Sequence, residues 1–143
     1  KISIDDLIKL TNLAENYSIS ELSDNCLAKN IGKVNKILNE NKFSDDECIL
    51  ILRTLLFKTK RLLELSKNNT NNKNIDQTIS SFRPPIFWKD KQIVKNQIMS
   101  WKINDIENLI VKIKNTEIEV KKHASNSIHL VFDFILATAR TNN

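Results

Sequence analysis

Apolar residues recur along this chain every three or four positions, the spacing of one face of an α-helix, in one segment after another. The first segment carries Ile4, Leu7, Ile8 and Leu13, opened by Ser3 with Asp6 three residues on and closed at Tyr17. Ser18 and Glu21 then make an S-x-x-E capping box, behind which Ile19, Leu22, Cys26 and Leu27 would form the inner face of a second helix. That helix is expected to stop near Lys29 and Asn30, because Asn tolerates a left-handed C-cap and Gly32 follows. Ile31, Val34, Ile37 and Leu38 predict a short third helix.

Ser44, Asp45, Asp46 and Glu47 form another capping box, with acids where the helix dipole favours them. Behind it the run CILIL at 48–52 is apolar on every side, and Leu55, Leu56, Leu62, Leu63 and Leu65 continue the stripe. This is the expected central helix, its first half buried all round. Residues 67–74, KNNTNNKN, have no periodicity and read as an exposed loop rather than an interdomain linker, since the helical segments after it need the first half of the chain to complete a core. Ile75, Ile79 and Phe82 allow a short helix. Ile93, Gln97, Ile98 and Trp101 mark another over about 89–100. Asn104, Asp105, Ile106 and Glu107 should cap the next, with Ile106, Leu109, Ile110, Ile113 and Val120 inward and Lys112, Lys114, Glu119 and Lys122 outward. The last, over about 127–140, carries Ile128, Val131, Phe132, Phe134 and Ile135 and is expected inside the bundle.

Between two of these helices lies SFRPPIFWKDK, at 81–91, which contains both prolines of the chain. Proline fixes its own φ and disfavours helix in the residue before it, so Arg83, Pro84 and Pro85 must turn an extended corner. Ile86, Phe87 and Trp88 then have no common inward direction. The rings either plug one end of the bundle or cover a partner, and Trp101 is the better core candidate while Trp88, beside Lys89 and Lys91, is the better interface candidate.

One glycine and two prolines in 143 residues leave too few turns for a β fold, and the length suits one domain that buries roughly 70% of its extended surface. The fold class is therefore all-α, a helical bundle. Cys26 and Cys48 lack CxxC spacing and sit in apolar runs, so both read as small buried residues in a reducing, cytoplasmic compartment. The chain has no membrane span and no signal peptide, and without an initiator Met it is expected to be a fragment. A net charge of +5 suits an anionic partner, but Lys, Asn and Ile fill 57 of the 143 positions, so codon bias accounts for much of the lysine.

Catalytic chemistry has little to stand on. His123 and His129 are six apart, which is not the i, i+4 spacing of a zinc-binding pair, and no acid or cysteine clusters with them in sequence. A single glycine cannot build GxxxxGK[ST] or GxGxxG, and Glu117 with Lys121 reads as a surface ion pair. No catalytic, cofactor-binding or metal-binding residue is assigned, and neither ATP binding nor ATP hydrolysis is expected. Lys121, Lys122 and His123 end one helix ahead of the bend ASNS, where cations suit the helix dipole and could also meet a phosphate backbone.

The segments ILRTLLFKTKRLLELS and FRPPIFWKDKQIVKNQIMSWKINDIENLIVKIKNTEIEVKK resemble the C-terminal region of the delta subunit of the bacterial DNA polymerase III clamp loader. The resemblance spans nearly the whole chain and is most specific at Ile51, Leu52 and Arg53, at 83–87, at Trp101, and at Glu117 with Lys121. It implies that residues 1–17 end a small AAA+ lid domain and 18–143 form the helical collar. It also implies a scaffold, with delta-prime and tau/gamma subunits as partners, Arg83, Phe87 and Trp88 as candidate subunit contacts, and Lys121, Lys122 and His123 as candidate contacts to primer-template DNA. The sliding clamp would be held by an N-terminal domain outside this sequence. An unrelated helical adaptor is the main alternative, ahead of a small helical enzyme or an independent nucleic-acid-binding domain.

Overall fold

The computed structural model describes the backbone of residues 3–69 and 74–141, and their side chains apart from those of 6–16. Among the described residues there are seven α-helices and no strand: α1 Ile4–Leu27, α2 Ile31–Glu40, α3 Asp45–Asn69, α4 Ile75–Ser81, α5 Lys91–Ser100, α6 Ile103–Lys122 and α7 Ser127–Arg140. Short 3-10 turns, Trp88–Asp90 and Ala124–Asn126, lead into α5 and α7. The inward set proposed for Leu7, Ile8 and Leu13 and the Asp6 cap lie outside the described side chains, as do residues 70–73 of the expected loop.

α3 is the hub, packed against α1, α4, α5, α6 and α7. Its capping box closes as the residue types demand: the Glu47 carboxylate accepts from Ser44 N–H at 2.8 Å, and Ser44 Oγ accepts from Glu47 N–H at 3.2 Å. Ile51, Leu52, Leu55, Leu62 and Leu65 are buried. The first half is not enclosed all round, however, since Leu50 and Phe57 stand open to solvent, the latter 67% exposed, alongside Arg53. Helices pack against α3 on part of its circumference only, and CILIL has more apolar residues than that interface can cover.

Three further expectations fail for identifiable reasons. Helix α1 runs unbroken through Tyr17 and Ser18, so the second capping box starts nothing. No proline or glycine interrupts the backbone there, and the Ser18 hydroxyl donates to Asn41 Oδ1 at 3.3 Å while Glu21 pairs with Lys33 at 3.6 Å. Helix α7 is a surface helix rather than an enclosed one. Val131, Ile135 and Ala139 face the core, Phe132 and Phe134 are half-buried, and Ile128 is exposed. Phe132 meets Phe43 edge to face with centroids 6.2 Å apart, which closes the α2–α3 connection over it. Helix α6 begins at Ile103, so Asn104 lies in its first turn and does not cap it.

The end of α1 is the most heavily bonded point of the fold. Lys29, not Asn30, takes the left-handed conformation, φ 58°. Asn30 N–H reaches Asn25 O at 3.0 Å and Lys29 N–H reaches Cys26 O at 3.1 Å, the paired bonds of a Schellman cap. Gly32 lies within α2 and takes no part. Side chains from elsewhere satisfy further carbonyls: Gln97 Nε2 donates to Asp24 O at 2.9 Å, and the Trp101 indole N–H donates to Leu27 O at 2.7 Å. Lys29 Nζ sits 4.3 Å from the Trp101 ring centroid, and burial lowers the pKa of its ammonium. Lys58 Nζ meets the buried Asp24 carboxylate at 2.9 Å, with Arg61 at 3.9 Å. Cys26 and Cys48 are buried free thiols, their pKa values pushed up by desolvation to about 12 and about 11.

Trp101 follows α5 in an extended conformation and is only 8% exposed, so its ring belongs to the core. Replacing it by Ala is expected to cost about 3–5 kcal/mol in urea unfolding, and by Phe about 1–2 kcal/mol, because Phe keeps most of the burial and loses the bond to Leu27 O. A Phe variant as stable as wild type would mean that the indole N–H contributes nothing.

Candidate functional site

The proline corner is built to stay put. Helix α4 starts where the Asn74 side chain accepts from Gln77 N–H at 2.7 Å, and it ends at Phe82, whose ring is buried. Arg83 turns back on that end, its Nη1 donating to Phe82 O at 2.9 Å and Ser80 O at 3.3 Å. A guanidinium there complements the negative end of the helix as well as its open carbonyls. The Arg83–Pro84 peptide is cis. Ile86 drops into the core, and Asp90 N–H bonds Phe87 O at 2.9 Å to start the 3-10 turn.

With Ile86 anchored inward, the next two rings have nowhere to go but out. Phe87 is 58% exposed and Trp88 68% exposed, their centroids 6.0 Å apart at an interplanar angle of 47°. Lys89 Nζ lies 5.5 Å from the Trp88 centroid, within cation–π range. The rings therefore do not plug the bundle. Ile86 fills that role, and Trp88 occupies the outward position proposed for it.

Beside the corner, a cleft of about 500 Å³ separates α1 from the start of α5, lined among others by Tyr17, Glu21, Asp24, Phe87, Lys89 and Ile93. Tyr17 adds a third exposed aromatic to this rim. The Glu21 carboxylate raises its phenol pKa, first by hydrogen bonding and then by charge. Tyr17 lies within α1 rather than at a helix end, and no local pattern marks it as a neighbour of residues seventy positions later.

The basic bend is a second exposed surface at the end of α6. Lys121, Lys122 and His123 are all exposed, but they are not equivalent. Lys121 Nζ is held by Glu117 Oε2 at 3.0 Å, and His123 Nε2 lies 3.7 Å from Glu119 Oε2. Lys122 has no such acid partner among the described ion pairs. Glu117 also accepts from Arg53 Nε at 3.3 Å, so one carboxylate ties α6 to the hub helix α3 and pairs with Lys121. The Arg53 bond spans 64 residues and was invisible to any local pattern. His123 and His129 are both exposed, and among the described residues no group of three His, Cys, Asp or Glu is placed to hold a metal ion. No helix among them is long and apolar enough to cross a membrane.

No protein-family model, curated protein or solved structure matches this chain.

Hydrogen bonding from Lys121 is the leading cause that lowers the Glu117 pKa, with Lys121 charge and Arg53 adding to it against a desolvation penalty. A depressed carboxyl pKa contributes stability that is present above the unfolded value, about 4.3, and is lost as pH falls through the folded one. Unfolding free energies for wild type and Glu117→Gln are therefore expected to differ at pH 7 and to converge below about pH 4. A difference independent of pH would assign the effect of the substitution to something other than this charge cluster.

Proposed function

We propose that this chain is the collar region of a clamp-loader delta subunit, acting as a scaffold that assembles with delta-prime and tau/gamma subunits around primer-template DNA. Residues 1–17 are then the end of the lid domain and residues 18–143 the collar, with α1 passing from one to the other as a continuous helix. The sliding clamp is engaged by a domain upstream of this sequence. Cytoplasmic replication is the setting that follows.

The observation that carries this reading is the corner. In the run that resembles the family, Phe87 and Trp88 stand outward directly after a corner anchored by the buried Phe82 and Ile86. Large rings held rigidly at the surface lose little conformational entropy on burial and are the residue types that dominate protein interfaces. Other positions quoted for the resemblance also acquire a physical role: Arg53, Glu117 and Lys121 form one charge cluster joining α3 and α6. A helical adaptor with unrelated partners would use the same rings, so the partner decides between the two.

Phe87→Ala and Trp88→Ala are expected to leave thermal stability nearly unchanged, within about 0.5 kcal/mol, and to weaken binding to delta-prime or tau/gamma by roughly tenfold or more. Sedimentation of the mixed subunits reads this directly. Wild-type chain that fails to associate with any loader subunit would falsify the assignment.

DNA contact, on the same reading, falls to Lys122 more than to Lys121, whose ammonium is already held by Glu117. In the assembled loader, Lys122→Ala is expected to lower the log-log salt slope of duplex binding by about 0.9, the value for one lost phosphate contact. An unchanged slope would leave the bend with only its helix-terminal role.

A further inference from the structure

In a chain of net charge +5, the cleft beside the proline corner has an acidic wall: Glu21 and Asp24 come from α1, and Asp90 from the 3-10 turn ahead of α5. Asp24 is buried and already taken by Lys58 at 2.9 Å. Glu21 meets Lys33 at 3.6 Å with both side chains partly open to water, a pairing that contributes little. Asp90 is uncommitted. It stands at the N-cap position of α5, yet its side chain makes no capping hydrogen bond and has no partner among the described ion pairs. Tyr17 registers both acids, since its phenol pKa is raised chiefly by the hydrogen bond to Glu21 and by that residue's charge, with Asp90 adding to them.

The rest of the wall is aromatic. Tyr17 and Phe87 line the cleft and are both exposed. The sole ammonium among the lining residues, Lys89, sits 5.5 Å from the centroid of Trp88, so a ring at this corner already engages a cation. Rings flanked by carboxylates suit one kind of guest. An aromatic face attracts a cation, and a carboxylate supplies acceptors and counter-charge. An anion would be repelled by Glu21 and Asp90, and an apolar side chain would desolvate them without pairing them.

We infer that this cleft receives an arginine side chain from a protein partner. A guanidinium can lay its flat face on Tyr17 or Phe87 while its edge N–H groups donate to Glu21 and Asp90. A lysine ammonium, compact and strongly hydrated, cannot do both. The cleft's volume of about 500 Å³ falls within the ligand-site range, roughly 300–1,000 Å³, and holds the whole side chain. A protein fits better than a free small cation because Trp88 lies beyond the lining, 6.0 Å from Phe87, and only a wider surface covers Tyr17, Phe87 and Trp88 together. Arginine is also one of the residue types that dominate interface energies. This occupant rests on the corner being a protein-binding surface, as proposed above, and not on which partner it binds.

The test titrates the whole chain with three blocked peptides, acetyl-Gly-X-Gly-amide with X arginine, lysine or uncharged citrulline, followed by amide NMR at constant ionic strength. The arginine peptide is expected to give saturable shifts at Tyr17, Glu21, Phe87 and Asp90, with lysine weaker and citrulline inert. Glu21→Gln combined with Asp90→Asn should weaken the arginine peptide by about tenfold or more, the loss of a hydrogen bond to a charged group, at a melting temperature close to wild type. Lys89→Met should bind it at least as tightly as wild type, because a like charge is removed. Equal binding of the three peptides, wild-type affinity in the double variant, or weaker binding by Lys89→Met would overturn the site. In sedimentation with delta-prime and tau/gamma, the double variant should associate correspondingly less, and association at wild-type strength would overturn the role of the cleft in docking. A wild-type chain that binds the arginine peptide but no loader subunit would sink the collar assignment and leave the arginine site standing.

Discussion

A helix end leaves carbonyls without intrahelical partners and a partial negative charge, and the last turn of α1, from Asp24 to Leu27, is buried. Asp24 makes the problem worse by adding a buried carboxylate to the same turn. The rest of the bundle is arranged around the answer: Lys58 and Arg61 come from α3, Gln97 from α5, and Trp101 from the residue just past it. Each element is thereby fixed against α1 by a directional bond as well as by apolar contact. Apolar contact alone would tolerate rotation or sliding of one helix on another, whereas a 2.7 Å bond from an indole to one carbonyl does not. The ionic part is strong in a different sense. Removing Asp24 would strand the Lys58 ammonium, which is only 9% exposed, and loss of one partner of a buried pair typically costs about 3–5 kcal/mol.

That constraint reaches the surface. Because Gln97 and Trp101 hold α5 against α1, the 3-10 turn before α5 and the proline corner before that are placed at a set distance from the α1 face carrying Tyr17. Tyr17 and Phe87, seventy positions apart in sequence, then share one rim, with Trp88 beside Phe87. Along α3, the Arg53–Glu117 bond near the start of the hub holds the last turns of α6 against it. The two candidate surfaces, at the corner and at the bend, both sit where helices end. Helix middles are occupied by the core, and their ends carry the unspent donors and charges.

Residue by residue, the sequence by itself determined the helical class and most element positions, because helical periodicity, capping boxes and prolines are local physics. Ser44 with Glu47 caps α3 as its spacing requires, Asn41 to Ser44 separates α2 from α3, and the corner falls at Arg83 and Pro84. It also separated Trp101 from Trp88 in kind, since Trp101 falls in register with Gln97 and Ile98, whereas three consecutive large residues after an extended corner cannot all face one core; that Ile86 is the inward one of the three was decided by the fold. Tertiary structure decided whatever depends on who the neighbours are. Whether S-x-x-E starts a helix or rides within one depends on whether the backbone before it is already helical, and at Ser18 it is. Whether an apolar run is enclosed depends on how many helices surround it, and Leu50 and Phe57 of α3 are left over. Asp24 with Lys58 and Arg53 with Glu117 join residues 34 and 64 positions apart. Periodicity describes only what one segment offers along its own faces, so pairings between segments arise only when the chain has folded.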